Sequence, residues 1–270
     1  MGDLYPLMRN TFKILALGDI TGASASEKVC RYLKKLKTEY EIDFTVANGE
    51  NAAVYNGLDR STAELLLGGG IDVLTSGNHV FQKREMLTYI DENPYIIRPA
   101  NYPSGTPGKG SFIFESFGFR ILVMNVLGTT YLEANSCPFA AIEKILSEND
   151  GQYDLSILDI HAEATSEKLA LANYFDGRID IIYGTHTHVQ TSDTRFFPKG
   201  TAYLTDLGMC GPIDSILGVD VQKVIEKFRT HLPVRFETPE GECEINGAVF
   251  TYDRGLKKCT GIELVRVNIG

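Results

Sequence analysis

The sequence predicts a layered α/β sandwich in which mixed β-sheets are flanked by helices. Three observations carry that expectation. Short apolar runs of strand length recur along the chain and end in glycine or polar residues. Amphipathic segments with a period near that of a helix lie between several of these runs. The C-terminal part then changes to closely spaced strands joined by turns, as mixed layers require.

The runs are FKILALGDI (12–20), DFTVANGEN (43–51), IDVLTSGNH (71–79), YIIRP (95–99), FRILVMNVLG (119–128), DLSILDIHAE (154–163), IDIIYGTHTH (179–188) and TAYLTDLG (201–208). Each is apolar enough for a strand buried on both faces. Segment 26–40 places Val29, Leu33 and Leu36 on one helical face, with lysines on the other. Segment 61–69 opens on Ser61 as N-cap, with Glu64 three residues on in the capping-box pattern, and stops at glycine. Segments 138–150 and 165–175 also read as helices, the second capped by Thr165 or Ser166. Segments 232–237, 244–253 and 259–268 read as antiparallel strands. There is no internal repeat, low-complexity tract or linker, so one domain over residues 1–270 is expected, with 1–11 as a loosely held leader.

The chain has 270 residues, 43% hydrophobic and 23% charged, enough to bury a core without disulfide or metal staples. A formal net charge of -9 gives no basic footprint for long nucleic acids. It does not exclude a nucleotide substrate, because a bound cation inverts the local field. Cysteines 30, 137, 210, 243 and 259 form no CxxC pair and read as reduced thiols. No signal-peptide pattern and no long apolar run is present. A cytoplasmic protein without membrane contact is expected, and a homo-oligomer stays open.

Ligands of open α/β sheets bind beyond the carboxyl ends of the strands. Read off at those ends, the chain offers Asp19, then Glu50 and Asn51, then Asn78 and His79, then His161, then His186 and His188. Taken singly, each has a bland reading as a turn former, helix cap or core histidine. Together they bring carboxylate, amide oxygen and imidazole to one rim, the mixed donor set that Mn²⁺, Fe²⁺ and Zn²⁺ accept. Seven ligands exceed one tetrahedral site but fit two ions, with Glu50 long enough to bridge them.

The series GDI, NGEN, GNH, H and GTHTH resembles the calcineurin-like metallophosphoesterases, and three departures from their general pattern narrow the match. Thr21 stands where a first histidine is expected, NGEN replaces an aspartate motif, and Val80 follows GNH in place of an acid. GDITG (18–22), ANGENAA (47–53), RPANYPSGTPGKG (98–110), HAEATSEKLA (161–170), GTHTHVQTSD (184–193) and LTDLGMCGP (204–212) resemble the YmdB-type phosphodiesterases, over nearly the whole chain. The resemblance implies a metallophosphoesterase-like sandwich with a di-metal centre. Asp19, Glu50, Asn51 and His188 would serve one ion; Glu50, Asn78, His161 and His186 the other. It also implies iron foremost, with manganese, zinc or magnesium as alternatives. The implied reaction is hydrolysis of cyclic nucleotides, 2',3'-cyclic monophosphates foremost, by a metal-bound hydroxide with His79 as general acid. Thr21 leaves the first ion one ligand poorer, and Asn51 is the residue placed to compensate. Val80 removes one partner for His79.

Alternatives keep the site but change its use: a phosphomonoesterase, an RNA or DNA phosphodiesterase, or a nucleotide-sensing regulatory protein. No stable nucleic-acid complex is expected. The 98–110 segment reads equally as a loop over the substrate, a subunit contact or a rigid connection. Tyr131 and Phe139 are candidates for stacking on a base, or packing residues.

Overall fold

The computed structural model of the protein describes residues 10–133 and 136–270. The expected leader at 1–11 lies almost wholly outside the described residues. The chain runs β1 (Thr11–Thr21), α1 (Ala23–Glu39), β2 (Phe44–Asn51), α2 (Arg60–Gly68), β3 (Val73–Thr75) and α3 (Met86–Glu92). It continues through β4 (Ser111–Ser116), β5 (Phe119–Leu127), α4 (Pro138–Glu148), β6 (Leu155–His161), α5 (Thr165–Tyr174) and β7 (Ile181–Thr185). β8 (Arg195–Phe196), β9 (Ala202–Leu204), β10 (Met209–Pro212), α6 (Val221–Thr230), β11 (Cys243–Asp253) and β12 (Lys258–Ile269) complete it.

Two mixed sheets face each other. The first has the order β12-β11-β10-β1-β2-β3, and the second β4-β5-β6-β7-β9-β8. In the first, β10, β1, β2 and β3 run parallel and β11 and β12 lie antiparallel at one edge. In the second, β5, β6, β7 and β9 run parallel between antiparallel β4 and β8. Period-two alternation explains the layers. Phe12, Ile14, Ala16, Phe44 and Val46 point between the sheets and meet Ile121, Val123, Ile157, Ile181 and Tyr183. Their neighbours Leu15, Leu17, Ala47 and Leu74 point outward, onto Val29, Leu33 and Leu36 of α1 and onto α2. On the far side Leu122, Met124, Leu158, Ile160 and Ile182 pack on α4 and α5. Each fully buried aliphatic residue contributes about 1.5–3 kcal/mol relative to an exposed one. The result is the expected α/β sandwich of mixed sheets. Among the described residues no helix is long and apolar enough to cross a membrane.

Several local expectations are corrected. Residues 232–237 form no strand: Pro233 lacks an N–H for a ladder, and most of the segment is exposed. YIIRP makes only isolated bridges, Leu74 to Ile96 and Ile97 to Lys109. The strand at 111–116 and the helices at 86–92 and 221–230 carry no run or cap in the reading above. α2 starts two residues earlier, because Asp59 rather than Ser61 is its N-cap and accepts from the Thr62 amide. α5 begins at Thr165 behind Ala164, with no side-chain cap. The 98–110 segment is held by Arg98, whose guanidinium donates to the carbonyls of Pro99, Thr106 and Pro107. Phe139 packs against Tyr174 and Phe175.

Candidate metal centre

The carboxyl ends of β1, β2 and β3 in one sheet meet those of β6 and β7 in the other. Asp19 sits on β1 where its pairing with β2 shifts register on both sides of that residue. Such a bulge re-aims a side chain. Glu50 and Asn51 end β2, His161 ends β6, Asn78 and His79 turn just past β3, and His186 and His188 follow β7. Gly77 is required by close approach: a Cβ there would collide with Glu50 Oε2 and the His161 ring.

Two groups of atoms share Glu50. In the first, Glu50 Oε1 lies 3.1 Å from His161 Nε2. That nitrogen is also 3.0 Å from His186 Nδ1 and 3.2 Å from Asn78 Oδ1. One ligand atom each from Glu50, His161 and His186 fall within 4.8 Å of one another. In the second, His188 Nε2 lies 3.8 Å from Asp19 Oδ1 and 3.3 Å from Asn51 Nδ2. Asn51 Nδ2 also donates to Glu50 Oε1 at 3.2 Å. All seven expected ligands therefore gather at one rim. Asn51 turns its amide nitrogen to this group and its oxygen to His79, so ligation through Oδ1 would take a half-turn of the amide.

The hydrogen-bond network sets the histidine tautomers. His161 Nδ1 donates to Thr185 Oγ1 at 2.9 Å, and that hydroxyl donates to Asp159 Oδ1 at 2.8 Å. His186 turns Nε2 to Glu163 Oε2 at 3.1 Å. His188 Nδ1 donates to the Leu217 carbonyl at 3.0 Å. Each imidazole thus spends one nitrogen on an oxygen of the protein and points the other into the cluster, the arrangement in which outer partners orient metal ligands.

Burial raises the pKa of Asp19. Glu50 feels the same burial, but the neighbouring His161 and hydrogen bonds from His161 and His79 outweigh it and hold its carboxyl well below the usual range. Burial also pushes His161 down, yet Glu50, Asp19 and Asp159 together lift it to about 9. His186, buried beside His161, falls to about 3. A fully buried carboxylate pair thus leans on one imidazolium. Among the described residues Asp19 Oδ1 has no hydrogen-bond partner. A buried carboxylate oxygen without a donor is costly unless a cation completes it, so these residues fit metal ions.

His79 borders the cluster from its Glu50 and Asn51 side. Its Nδ1 lies 3.0 Å from Asn51 Oδ1 and 3.4 Å from Glu50 Oε1, and its side chain is 34% exposed. Its amide donates to Glu50 Oε2 at 3.0 Å. The hydrogen bond to Glu50 raises its pKa. Glu50 and Asn51 thus occupy the partner's place that Val80, buried in the core, leaves empty. A cavity of about 310 Å³ opens over the cluster, lined also by Thr21, Asn56, Leu217, Val219 and Thr238.

The sequence reading missed the residues behind the ligands: Asn48, Asp159, Glu163 and Thr185. Asn48 Nδ2 donates to Asp159 and lies 3.3 Å from His161 Nδ1, while its Oδ1 accepts the Glu50 amide. Period-two spacing was the available signal, since Asn48 precedes Glu50 by two and Asp159 and Glu163 flank His161 by two.

A family model described as "YmdB-like protein" matches residues 15–265. A Bacillus subtilis (strain 168) protein named 2',3'-cyclic-nucleotide 2'-phosphodiesterase is 45% identical over 256 residues, covering 95% of this chain and 97% of its own. The crystal structure of a Mycoplasma pneumoniae protein described as a novel phosphatase superposes with a TM-score of 0.89 at 34% identity, over 97% of this chain and 95% of that one. A hypothetical protein from Thermus thermophilus superposes equally well, TM-score 0.89, at 35% identity over 96% of this chain and 100% of that one. The chain therefore belongs to the YmdB-like family of metallophosphoesterases.

Proposed function

We propose that the protein is a metal-dependent phosphodiesterase that hydrolyses cyclic nucleotides, 2',3'-cyclic nucleoside monophosphates foremost. The carrying observation is the position of Glu50, whose Oε1 lies within reach of both ligand groups. A carboxylate so placed could bridge the two ions of a dinuclear centre. Asp19, Asn51 and His188 would complete one ion, and Asn78, His161 and His186 the other. The donor set suits iron, manganese or zinc, with magnesium as the harder alternative. The named activity of the Bacillus subtilis relative supports the substrate class. Each sheet contributes part of the ligand set, so the chain acts as one domain.

When bound, the ions supply Lewis acidity toward phosphoryl oxygens and bring the pKa of coordinated water toward neutrality. The chain's own residues do the rest. The cavity over the cluster is of small-molecule size, and its lip of Asn56, Leu217, Val219 and Thr238 borders the space for ribose and base. Water adds to phosphorus and the bond to the 2'-oxygen breaks, leaving a 3'-monophosphate. The departing oxygen needs a proton at that moment. His79 holds Nδ1 against Asn51 and Glu50 and keeps Nε2 as the nitrogen available to the cavity, the position of a general acid.

The test combines metal analysis of protein purified without added metal with a substrate panel. The panel holds 2',3'- and 3',5'-cyclic nucleotides, phosphomonoesters and oligonucleotides. Close to two ions per chain and highest kcat/KM on a 2',3'-cyclic nucleotide are expected. Preference for monoesters or oligonucleotides would replace the substrate assignment, and nucleotide binding without turnover by fully metallated protein would make it a sensor.

A further inference from the structure

We propose that Lys168 and Asp206 form a buried clamp that positions the two ligand histidines of the 184–188 loop and thereby sets the metal affinity of the site. The inference rests on the metal-centre reading above. His186 and His188 both hold left-handed backbone conformations, φ 98° and φ 63°. Residues other than glycine stay in that region only where their surroundings over-determine them.

The surroundings here are charged and fully buried. Lys168, on α5, and Asp206, after β9, are inaccessible to solvent. Lys168 Nζ donates to the carbonyl of Thr185 at 2.8 Å, immediately before His186, and to Asp206 Oδ2 at 2.7 Å. The same Oδ2 accepts the amide of Thr187 at 3.2 Å, the residue between the two histidines. Asp206 Oδ1 accepts the Gly208 amide at 2.9 Å, which fixes the carboxylate in turn. With the His186 amide held by Asp19 Oδ2 at 3.1 Å, successive polar groups of the loop backbone are tied to charged side chains.

The opening glycine of the loop belongs to the same device. The Lys168 stem passes over Gly184, where a Cβ would stand 2.7 Å from its Cδ and 2.9 Å from its Cε. Lysine is almost never fully buried unless paired, and an ion pair in the interior is a poor way to gain stability alone. This pair holds the loop in the one shape that presents His186 Nδ1 and His188 Nε2 to the cluster. Neither residue lines the cavity, so both are positioning residues that act through the histidines.

The experiment strips metal from the full-length wild type and from Lys168→Met, Asp206→Asn and Ile142→Ala, then titrates each with Mn²⁺ by calorimetry. Far-UV circular dichroism and thermal unfolding run in parallel. Ile142, buried in the α4 layer, serves as a destabilised control that belongs neither to the clamp nor to the proposed ligand set. Lys168→Met and Asp206→Asn are expected to keep the wild-type fold and lose Mn²⁺ affinity by about 10–100-fold, the usual cost of removing an outer partner. Ile142→Ala is expected to unfold at lower temperature with Mn²⁺ affinity intact. Wild-type affinity in both clamp variants, or an equal loss in Ile142→Ala, would overturn the proposal. Should Lys168→Met not fold, the isosteric Asp206→Asn decides. A wild type that takes up no Mn²⁺, Fe²⁺ or Zn²⁺ removes the metal-centre reading itself.

Discussion

The two sheets deliver different atoms to one rim and hold them by different means. The first sheet brings oxygen, from Asp19 and Glu50 on the strands themselves and Asn78 on the turn past β3, with Asn51 turning its amide nitrogen inward beside them. The second brings nitrogen: His161 from the last position of β6, and His186 and His188 from the loop after β7. On the oxygen side, strand pairing and the register shift at Asp19 set the positions. On the nitrogen side, two of the three histidines sit at positive φ and depend on contacts from distant segments: Glu163, Leu217, Lys168 and Asp206. A ligand on a paired strand is placed by its neighbours in the ladder. A ligand on a strained loop is placed by whatever ties the loop down.

Glu50 joins the two halves, so Glu50→Gln is expected to have the largest effect. It should cost both ions and at least about 10³-fold in kcat/KM, checked by metal content per chain and steady-state kinetics. Retention of two ions would show that the halves are held separately. His79→Ala comes next, because it removes proton donation and leaves the ligands in place. Its kcat should fall by about 10²–10⁴-fold with metal content unchanged, and loss of metal with full activity per bound ion would end the general-acid assignment. Thr185→Val tests the nitrogen side alone by cutting His161 from Asp159 while keeping side-chain volume. Metal affinity should fall by about 10–100-fold, with activity recovered at high metal concentration. Metal removal from the wild type should lower the unfolding temperature, since ions that bind only the folded state at 100 times Kd stabilise it by about 2.7 kcal/mol. Ile157→Ala, in the core between the sheets, should leave the site almost untouched. Its cost of about 2–5 kcal/mol in unfolding free energy should appear in denaturant titration and not in metal content.

The strand ends were legible because period-two patterning and chain punctuation mark where a buried strand stops. The polar residues at those stops are chemically conspicuous, so Asp19, Glu50, Asn78, His161 and the GTHTH pair could be read without coordinates. The partners behind them were less visible. Asp159, Thr185 and Asn48 read as ordinary polar residues within strands, and their roles depend on the facing sheet. Lys168 reads as part of a helix start, and its burial follows only from a neighbour 38 residues along the chain. The exposed 232–237 segment was misread because a short alternation looks like a strand whether or not a partner edge exists. Helix 86–92 is short and has no side-chain cap, whereas 221–230 carries the signals of a helix, an Asp220 N-cap and lysine and arginine in its last turn, and was legible without coordinates.

By itself, then, the sequence determined the α/β layering and which carboxylate, amide and imidazole residues stand at the strand ends, since both follow from local periodicity and from residue types at those ends. Only the tertiary structure decided which nitrogen of each imidazole faces the cluster, that Asn51 offers its amide nitrogen there, and that a buried ion pair from α5 and the segment after β9 holds the histidine loop. Those outcomes depend on atoms brought together across two sheets, where hydrogen-bond geometry rather than local propensity selects the arrangement.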